Sequence, residues 1–175
     1  PSGRHFPKRW QAGINDDPGS SPEQDVRFIA DLINQLAGEY NLDASRIYAN
    51  GLSNGGGMSF ILSCELSERI AAVGLVAGAY LYPWEACHPS RAVPAVVFHG
   101  TADQIVPFQG GPSRMFDIPF PAIPQWVDSL AEHNDCDSLP EQLPLSGEVS
   151  GVRYTHCAAE VVFYTITGGG HSWPS

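Results

Sequence analysis

The 175-residue sequence has few basic side chains: nine lysines and arginines stand against 19 aspartates and glutamates, for a formal net charge of −10 at pH 7. Because such an acidic surface repels phosphate groups, the composition argues against nucleic-acid binding and against binding to anionic membrane surfaces. The sequence also lacks an apolar run near the roughly 18 residues that a membrane span needs. Its hydrophobic content of 43% argues against disorder and favours a globular protein.

The sequence has no CxxC motif, and its four cysteines, Cys64, Cys87, Cys136 and Cys157, are widely spaced. A structural zinc site needs closely spaced ligand pairs, so we expect no metal. An even cysteine count in a chain rich in glycine and proline indicates an oxidising compartment, which predicts a secreted or periplasmic protein. Four cysteines allow three connectivities, and proximity favours Cys64 with Cys87 and Cys136 with Cys157.

Apolar periodicity predicts an α/β fold with a mostly parallel sheet and helices on both faces. The predicted helices cover 21 to about 38–41, about 55–66 and 123–133, and the predicted strands cover 46–50, 71–78, 95–100 and 160–166. Residues 1–20 are expected to be irregular, and residues 107–121 are expected to form a loop. Residues 140–151 are expected to form either a loop or an excursion from the fold. Functional residues in such sheets lie at the carboxyl ends of the strands.

A G-x-S-x-G motif at 51–55 lies between a predicted strand and a predicted helix. This context is typical of a nucleophilic serine, which must stand on a sharp, strained turn that only small neighbouring residues allow. The helix that follows directs its N-terminal amides toward developing negative charge. Ser53 is therefore the candidate nucleophile, and the alternative is an ordinary glycine-rich turn with a solvated serine.

Two further residues complete the pattern that a serine nucleophile requires. Asp103 follows the strand that ends at His99 and Gly100, and His171 follows three glycines after the last strand. The order serine, acid, histidine is that of serine hydrolases of this type, so we predict Asp103 as the acid and His171 as the base.

Other candidates fit these roles less well. His99 is predicted to be a buried, hydrogen-bonded core residue because it ends an apolar strand. Four aspartates compete for the acid role but do not follow a strand: Asp117, Asp128, Asp135 and Asp137. Trp173 either lines an acyl or aryl pocket or is a packing residue near the terminus.

With these residues in view, the chain resembles the esterase family of polyhydroxybutyrate depolymerases and feruloyl esterases. The segments that carry the resemblance are 51–56, 98–107 and 168–174. The resemblance implies a secreted serine esterase with an α/β-hydrolase fold and no cofactor. Ser53, Asp103 and His171 match the family's nucleophile, acid and base, and the backbone amide of Asn54 matches one oxyanion-hole donor.

The chain departs from the family pattern at two places. Gly57 stands where family members usually carry methionine, at a helix cost of about 1 kcal/mol against alanine. The first strands of the family, with the His-Gly segment that supplies a second oxyanion donor, have no counterpart, so the strand before Ser53 should have a bare edge. We therefore interpret residues 1–175 as the C-terminal part of a single α/β-hydrolase domain, a fragment of a longer protein.

These features predict hydrolysis of a carboxylic ester through an acyl-enzyme. The candidate substrates are hydroxyalkanoate polyesters or oligomers and feruloyl or acetyl esters of polysaccharides. With one oxyanion donor missing, the isolated chain should be weak or inactive, since one donor contributes roughly 10²–10³ in rate. The alternative is a catalytically inert, hydrolase-like binding module, which the presence of all three triad residues disfavours.

Overall fold

The structure is a computed structural model that describes residues 9–13, 21–116 and 118–174. Most of the predicted irregular segment 1–20 lies outside the described residues, as does Asp117, one of the aspartates weighed for the acid role.

The helices and strands follow the predicted order. The helices are α1 (Glu23–Glu39), α2 (Asn54–Glu65) and α3 (Ile123–His133), with a 3-10 turn at Trp84–Ala86. The strands are β1 (Tyr48–Leu52), β2 (Ala72–Val76), β3 (Ala95–Gly100), β4 (Gly111–Pro112), β5 (Pro119–Phe120), β6 (Glu141–Ser146), β7 (Val149–Tyr154) and β8 (Val161–Ile166). All seven predicted elements are present, and their ends lie within two residues of the predicted ones; β1 begins and ends two residues later than expected.

The main sheet has the order β1-β2-β3-β8-β7-β6. The first four of these strands are parallel, and β7 and β6 are antiparallel additions at one side. This arrangement confirms the predicted α/β class and the mostly parallel sheet. Because β1, β3 and β8 run in the same direction, their carboxyl ends lie at the same edge of the sheet.

The prediction that 140–151 is a loop or an excursion was wrong, because β6 and β7 form a hairpin there. Ser146 pairs with Val149 across a two-residue turn in which Gly147 has a φ of +59°. A positive φ at the first turn residue is typical of the hairpin turns that match strand twist. Nearly all of β6 is exposed and it contains Pro144, so it lacks the apolar run that identified the other strands. The predicted loop at 107–121 likewise contains the short pair β4–β5.

The core lies on one side of the sheet. There, Leu75 of β2, Val97 of β3 and Phe163 of β8 are paired neighbours on adjacent strands, and all three are buried. On this side α2 contacts α3 through Phe60 and Trp126, whose ring centroids are 5.0 Å apart, and α1 packs against α2. The sequence predicted helices on both faces of the sheet. On the face opposite the core, Val96, Phe98 and Val162 are only half-buried in the described ranges.

Strand β1 is at the edge of the sheet and pairs only with β2 among the residues that the structure describes. The sequence predicted a bare edge beside this strand. Tyr48, the first residue of this strand, is 62% exposed.

Two disulfides have the pairing that proximity favoured. Cys64 bonds to Cys87, with Cα atoms 4.9 Å apart, and Cys136 bonds to Cys157, with Cα atoms 3.9 Å apart. The first ties the end of α2 to the segment after the 3-10 turn, and the second ties the segment after α3 to the connection between β7 and β8. Within the described ranges, none of the helices combines the length and the apolar character that crossing a membrane requires.

Candidate active site

Ser53 occupies a strained turn between β1 and α2. Its φ of 57° and ψ of −119° lie in a region that side-chain-bearing residues rarely adopt. The turn is held by its backbone: the Ser53 N–H donates to the Val76 carbonyl at 2.9 Å, and the Ser53 carbonyl accepts from the Ala79 N–H at 3.0 Å. This geometry places Ser53 directly after the end of the strand, in the sharp turn that a nucleophile elbow requires.

Glycines allow the strand and the helix to approach closely around this turn. A Cβ on Gly51 would lie 2.3 Å from the Gly55 carbonyl carbon, and one on Gly57 would lie 2.4 Å from the Ala79 carbonyl oxygen. The glycine at position 57 is therefore required by packing, because a methionine in the same backbone position would collide with the segment after β2.

Asp103 lies in the turn after β3 and is 5% exposed. Its Oδ1 accepts the backbone N–H groups of Ile105 at 2.8 Å and Val106 at 2.9 Å. Its Oδ2 accepts from His171 Nδ1 at 2.8 Å. Burial by itself would raise the pKa of Asp103, but the hydrogen bonds from His171, from His99 and from the two amides outweigh burial and hold the pKa well below its usual range. The carboxylate is therefore ionised at neutral pH.

His171 reaches Asp103 because the glycine-rich loop after β8 packs directly on the end of β3. A Cβ on Gly100 would lie 2.1 Å from the Gly169 carbonyl oxygen, and that oxygen accepts the Ala102 N–H at 2.9 Å. The His171 Nδ1–H donates to the carboxylate, so the imidazole is in the tautomer that leaves Nε2 free to accept a proton.

The structure brings Asp103 and His171 into contact and sets Ser53 at the same edge of the sheet. Among the residues that the structure describes, Ser53 Oγ forms no hydrogen bond with the imidazole. Catalytic hydrogen bonds are often long in the absence of substrate and shorten when substrate binds. The arrangement can thus support nucleophilic attack by a serine, with the imidazole as base and the carboxylate as its orienting partner.

The predicted oxyanion donor, Asn54, is the first residue of α2, where a backbone N–H has no acceptor within the helix. Its side chain has a second role that the sequence did not reveal. Asn54 Oδ1 accepts the Trp10 N–H at 2.7 Å, and Asn54 Nδ2 donates to the Trp10 carbonyl at 3.0 Å. The side chain therefore fixes the segment 9–13 beside the nucleophile turn. No local pattern signals a contact between residues 44 positions apart.

The remaining candidates lie elsewhere or have other partners. Asp128 accepts a hydrogen bond from the Tyr154 hydroxyl, and Asp137 pairs with the exposed His156 at 2.7 Å. Trp173 is 52% exposed and lines a cavity of about 400 Å³ whose described lining residues do not include Ser53. In the described part of the chain, no group of three or more His, Cys, Asp or Glu side chains could hold a metal ion.

No family model matches the chain. The chain is 31% identical over 171 residues to feruloyl esterase B of Piromyces equi. The alignment covers 93% of this chain and 31% of that protein. It is 25% identical over 159 residues to feruloyl esterase C of Emericella nidulans, which covers 90% of this chain and 54% of that protein. The solved structure of an acetyl xylan esterase from Aspergillus awamori superposes with a TM-score of 0.64 at 16% identity, covering 95% of this chain and 68% of the other.

These curated relatives are longer proteins, and the chain spans between about a third and about a half of their length. The solved structure establishes the fold alone, because its sequence identity is low. The chain has an α/β-hydrolase fold and is similar over nine-tenths of its length to proteins named feruloyl esterase.

Proposed function

We propose that this chain is the catalytic part of a carboxylic ester hydrolase that acts through an acyl-enzyme. The observation that carries the proposal is the pairing of a buried carboxylate with His171 Nδ1 at 2.8 Å, at the same sheet edge as a serine with a φ of 57°. A solvated serine in an ordinary turn would need neither the strained backbone nor the oriented imidazole. The sequence similarity to feruloyl esterases supports the same reaction class.

In the proposed mechanism, Ser53 Oγ attacks the ester carbonyl carbon while His171 Nε2 takes the hydroxyl proton. The tetrahedral oxyanion accepts a hydrogen bond from the Asn54 backbone N–H. Collapse of this intermediate breaks the ester bond, and His171 gives its proton to the leaving alcohol. Water then attacks the acyl-enzyme with the same imidazole as base, which releases the acid and restores the serine. Throughout, the ionised Asp103 stabilises the imidazolium and its orientation.

The names of the relatives favour a feruloyl ester as substrate. Feruloyl groups are neutral aromatic acyl groups, and a chain with a net charge of −10 suits a neutral ester better than an anionic one. Acetyl esters of polysaccharides and hydroxyalkanoate polyesters are the comparison substrates, and we rank the polyester below the feruloyl ester because neither relative's name refers to it.

The two disulfides support an extracellular location for the protein, since such bonds persist in oxidising compartments. The second oxyanion donor has no candidate among the residues described above. Because the relatives are two to three times longer than the aligned segment, we propose that the donor lies in sequence outside this chain, and that turnover by the isolated chain is weak.

A fluorophosphonate probe tests the nucleophile directly. We expect covalent labelling of Ser53, identified by peptide mass spectrometry, and loss of the label in Ser53→Ala but not in Ser129→Ala, an exposed hydroxyl on α3. Turnover is then compared for methyl ferulate, a nitrophenyl acetate and a hydroxybutyrate oligomer. A folded protein that takes no label on Ser53 would overturn the proposal and favour the inert binding module. Labelling with a preference for the polyester would keep the mechanism and reject the feruloyl substrate.

A further inference from the structure

We propose that His99 is a positioning residue for the acid of the site, and that its imidazole locks the Asp103 carboxylate in the orientation that His171 needs. The inference rests on the proposed role of Asp103 as the triad acid. Sequence reasoning assigned His99 only to the core, as a buried and hydrogen-bonded residue.

His99 lies at the end of β3, four residues before Asp103, and is 1% exposed. Its Nε2 is 2.9 Å from the Val106 carbonyl oxygen and 3.3 Å from Asp103 Oδ2. Nε2 therefore faces two acceptors, which belong to the first and the last residue of the turn from 103 to 106. The ring of Phe108 lies beside that of His99, with centroids 6.1 Å apart.

These contacts determine the tautomer of the ring. The Val106 carbonyl can only accept a hydrogen bond, so Nε2 carries the proton and donates it. Nδ1 is buried and has no hydrogen-bond partner in the described part of the chain. A proton on Nδ1 in place of Nε2 would leave a buried donor unpaired and the Val106 carbonyl without its donor, which is costly, so the contacts favour the tautomer with the proton on Nε2. Asp103 is the titratable group that faces it.

Both oxygens of the Asp103 carboxylate therefore have N–H groups beside them. Oδ1 receives two backbone amides, and Oδ2 lies between two imidazole N–H groups, that of His171 at 2.8 Å and that of His99 at 3.3 Å. The backbone of Val106 makes two hydrogen bonds in this turn: its N–H donates to Asp103 Oδ1, and its carbonyl accepts from His99. Removing His99 would loosen the turn and would let the carboxylate rotate.

The tautomer is tested in the wild-type protein by nitrogen NMR with ¹⁵N-labelled histidine, with His99→Gln used to assign the signals. We expect the tautomer of His99 that carries its proton on Nε2 and not on Nδ1. A ring with a proton on Nδ1 and none on Nε2 would overturn the proposal. This measurement requires no turnover, so its outcome is independent of whether the protein hydrolyses esters.

The functional consequence is tested with His99→Leu, His99→Gln and the control His133→Leu, which removes a histidine that stacks on Trp84 away from the site. Loss of outer hydrogen-bond partners at metal sites costs roughly 10–100-fold, and we expect a fall of about that size in kcat for His99→Leu with KM unchanged within about twofold. Glutamine, whose amide can donate from the position of Nε2, should restore most of the loss.

A wild-type kcat in His99→Leu, an effect confined to KM, or a glutamine variant no better than leucine would each refute the positioning role. If His99→Leu does not fold, the comparison of His99→Gln with wild type still decides the question, because a folded glutamine variant with kcat more than about 100-fold below wild type contradicts it.

Discussion

The strain at Ser53 predicts that removing the nucleophile's Cβ will stabilise the protein. A side-chain-bearing residue in this region of backbone space costs on the order of 1–3 kcal/mol, and glycine avoids most of that cost. Glycine also adds about 0.5–1 kcal/mol of entropy to the unfolded chain. The net expectation for Ser53→Gly is a gain of about 1 kcal/mol, or roughly 2–4 °C in Tm for a chain of this size.

Ser53→Ala is the matched control because it also removes the hydroxyl but keeps Cβ in the strained turn. Since Ser53 Oγ makes no hydrogen bond in the described structure, alanine should leave stability unchanged. Both variants should lose ester hydrolysis and fluorophosphonate labelling. Thermal unfolding followed by circular dichroism, with the disulfides intact, measures the difference. A Ser53→Gly protein no more stable than Ser53→Ala would show that the turn stores no such strain.

Three further predictions concern packing, buried polar groups and pH. Gly57→Ala should destabilise the protein by roughly 1–3 kcal/mol because its Cβ would lie 2.4 Å from a backbone oxygen, whereas Gly38→Ala, whose Cβ in α1 meets nothing within 4 Å, should stabilise it by about 0.5–1 kcal/mol; urea unfolding of both variants measures the contrast. Asn134→Ala should cost about 2 kcal/mol in the same assay, because the amide of this buried side chain donates at 3.0 and 3.1 Å to two backbone carbonyls that would lose their partner. The pKa of Asp103 in the folded protein lies below its ordinary value of 3.8, so its stabilising contribution is full above about pH 4 and is lost as the pH falls further. Urea unfolding at pH 6 and pH 3 should therefore show a larger loss of stability for wild type than for Asp103→Asn, and equal losses would contradict this.

The parts of the site that depend on local sequence could be predicted. A nucleophile turn needs small residues within two positions of Ser53, and an acid or base at a strand end follows its strand within a few residues. Apolar runs located those strands, because parallel strands buried in the sheet are hydrophobic along their length. Together these local requirements are enough to predict that Ser53, Asp103 and His171 lie at the same sheet edge.

Features that depend on contacts between distant segments could not be predicted. The clamp between the Asn54 side chain and the Trp10 backbone joins residues 44 positions apart. Strand β6 is defined by its partner β7 and not by its own composition, because an exposed edge strand has no apolar face to recognise. The orientation of His99 toward Val106 and Asp103 is likewise set by tertiary packing, although its burial was evident from the apolar strand that it ends.

Gly57 departs from the family pattern, and the close packing around the nucleophile turn depends on it. As a helix residue it costs about 1 kcal/mol against alanine, which by itself reads as a defect. Yet its missing Cβ lets the segment after β2 approach α2, and this segment includes Ala79, whose N–H donates to the Ser53 carbonyl at 3.0 Å. A strained residue persists only where its surroundings hold it in place. The helix cost of Gly57 is therefore offset by the hydrogen bond that holds the nucleophile, so that Gly57→Ala should lower labelling of Ser53 as well as stability.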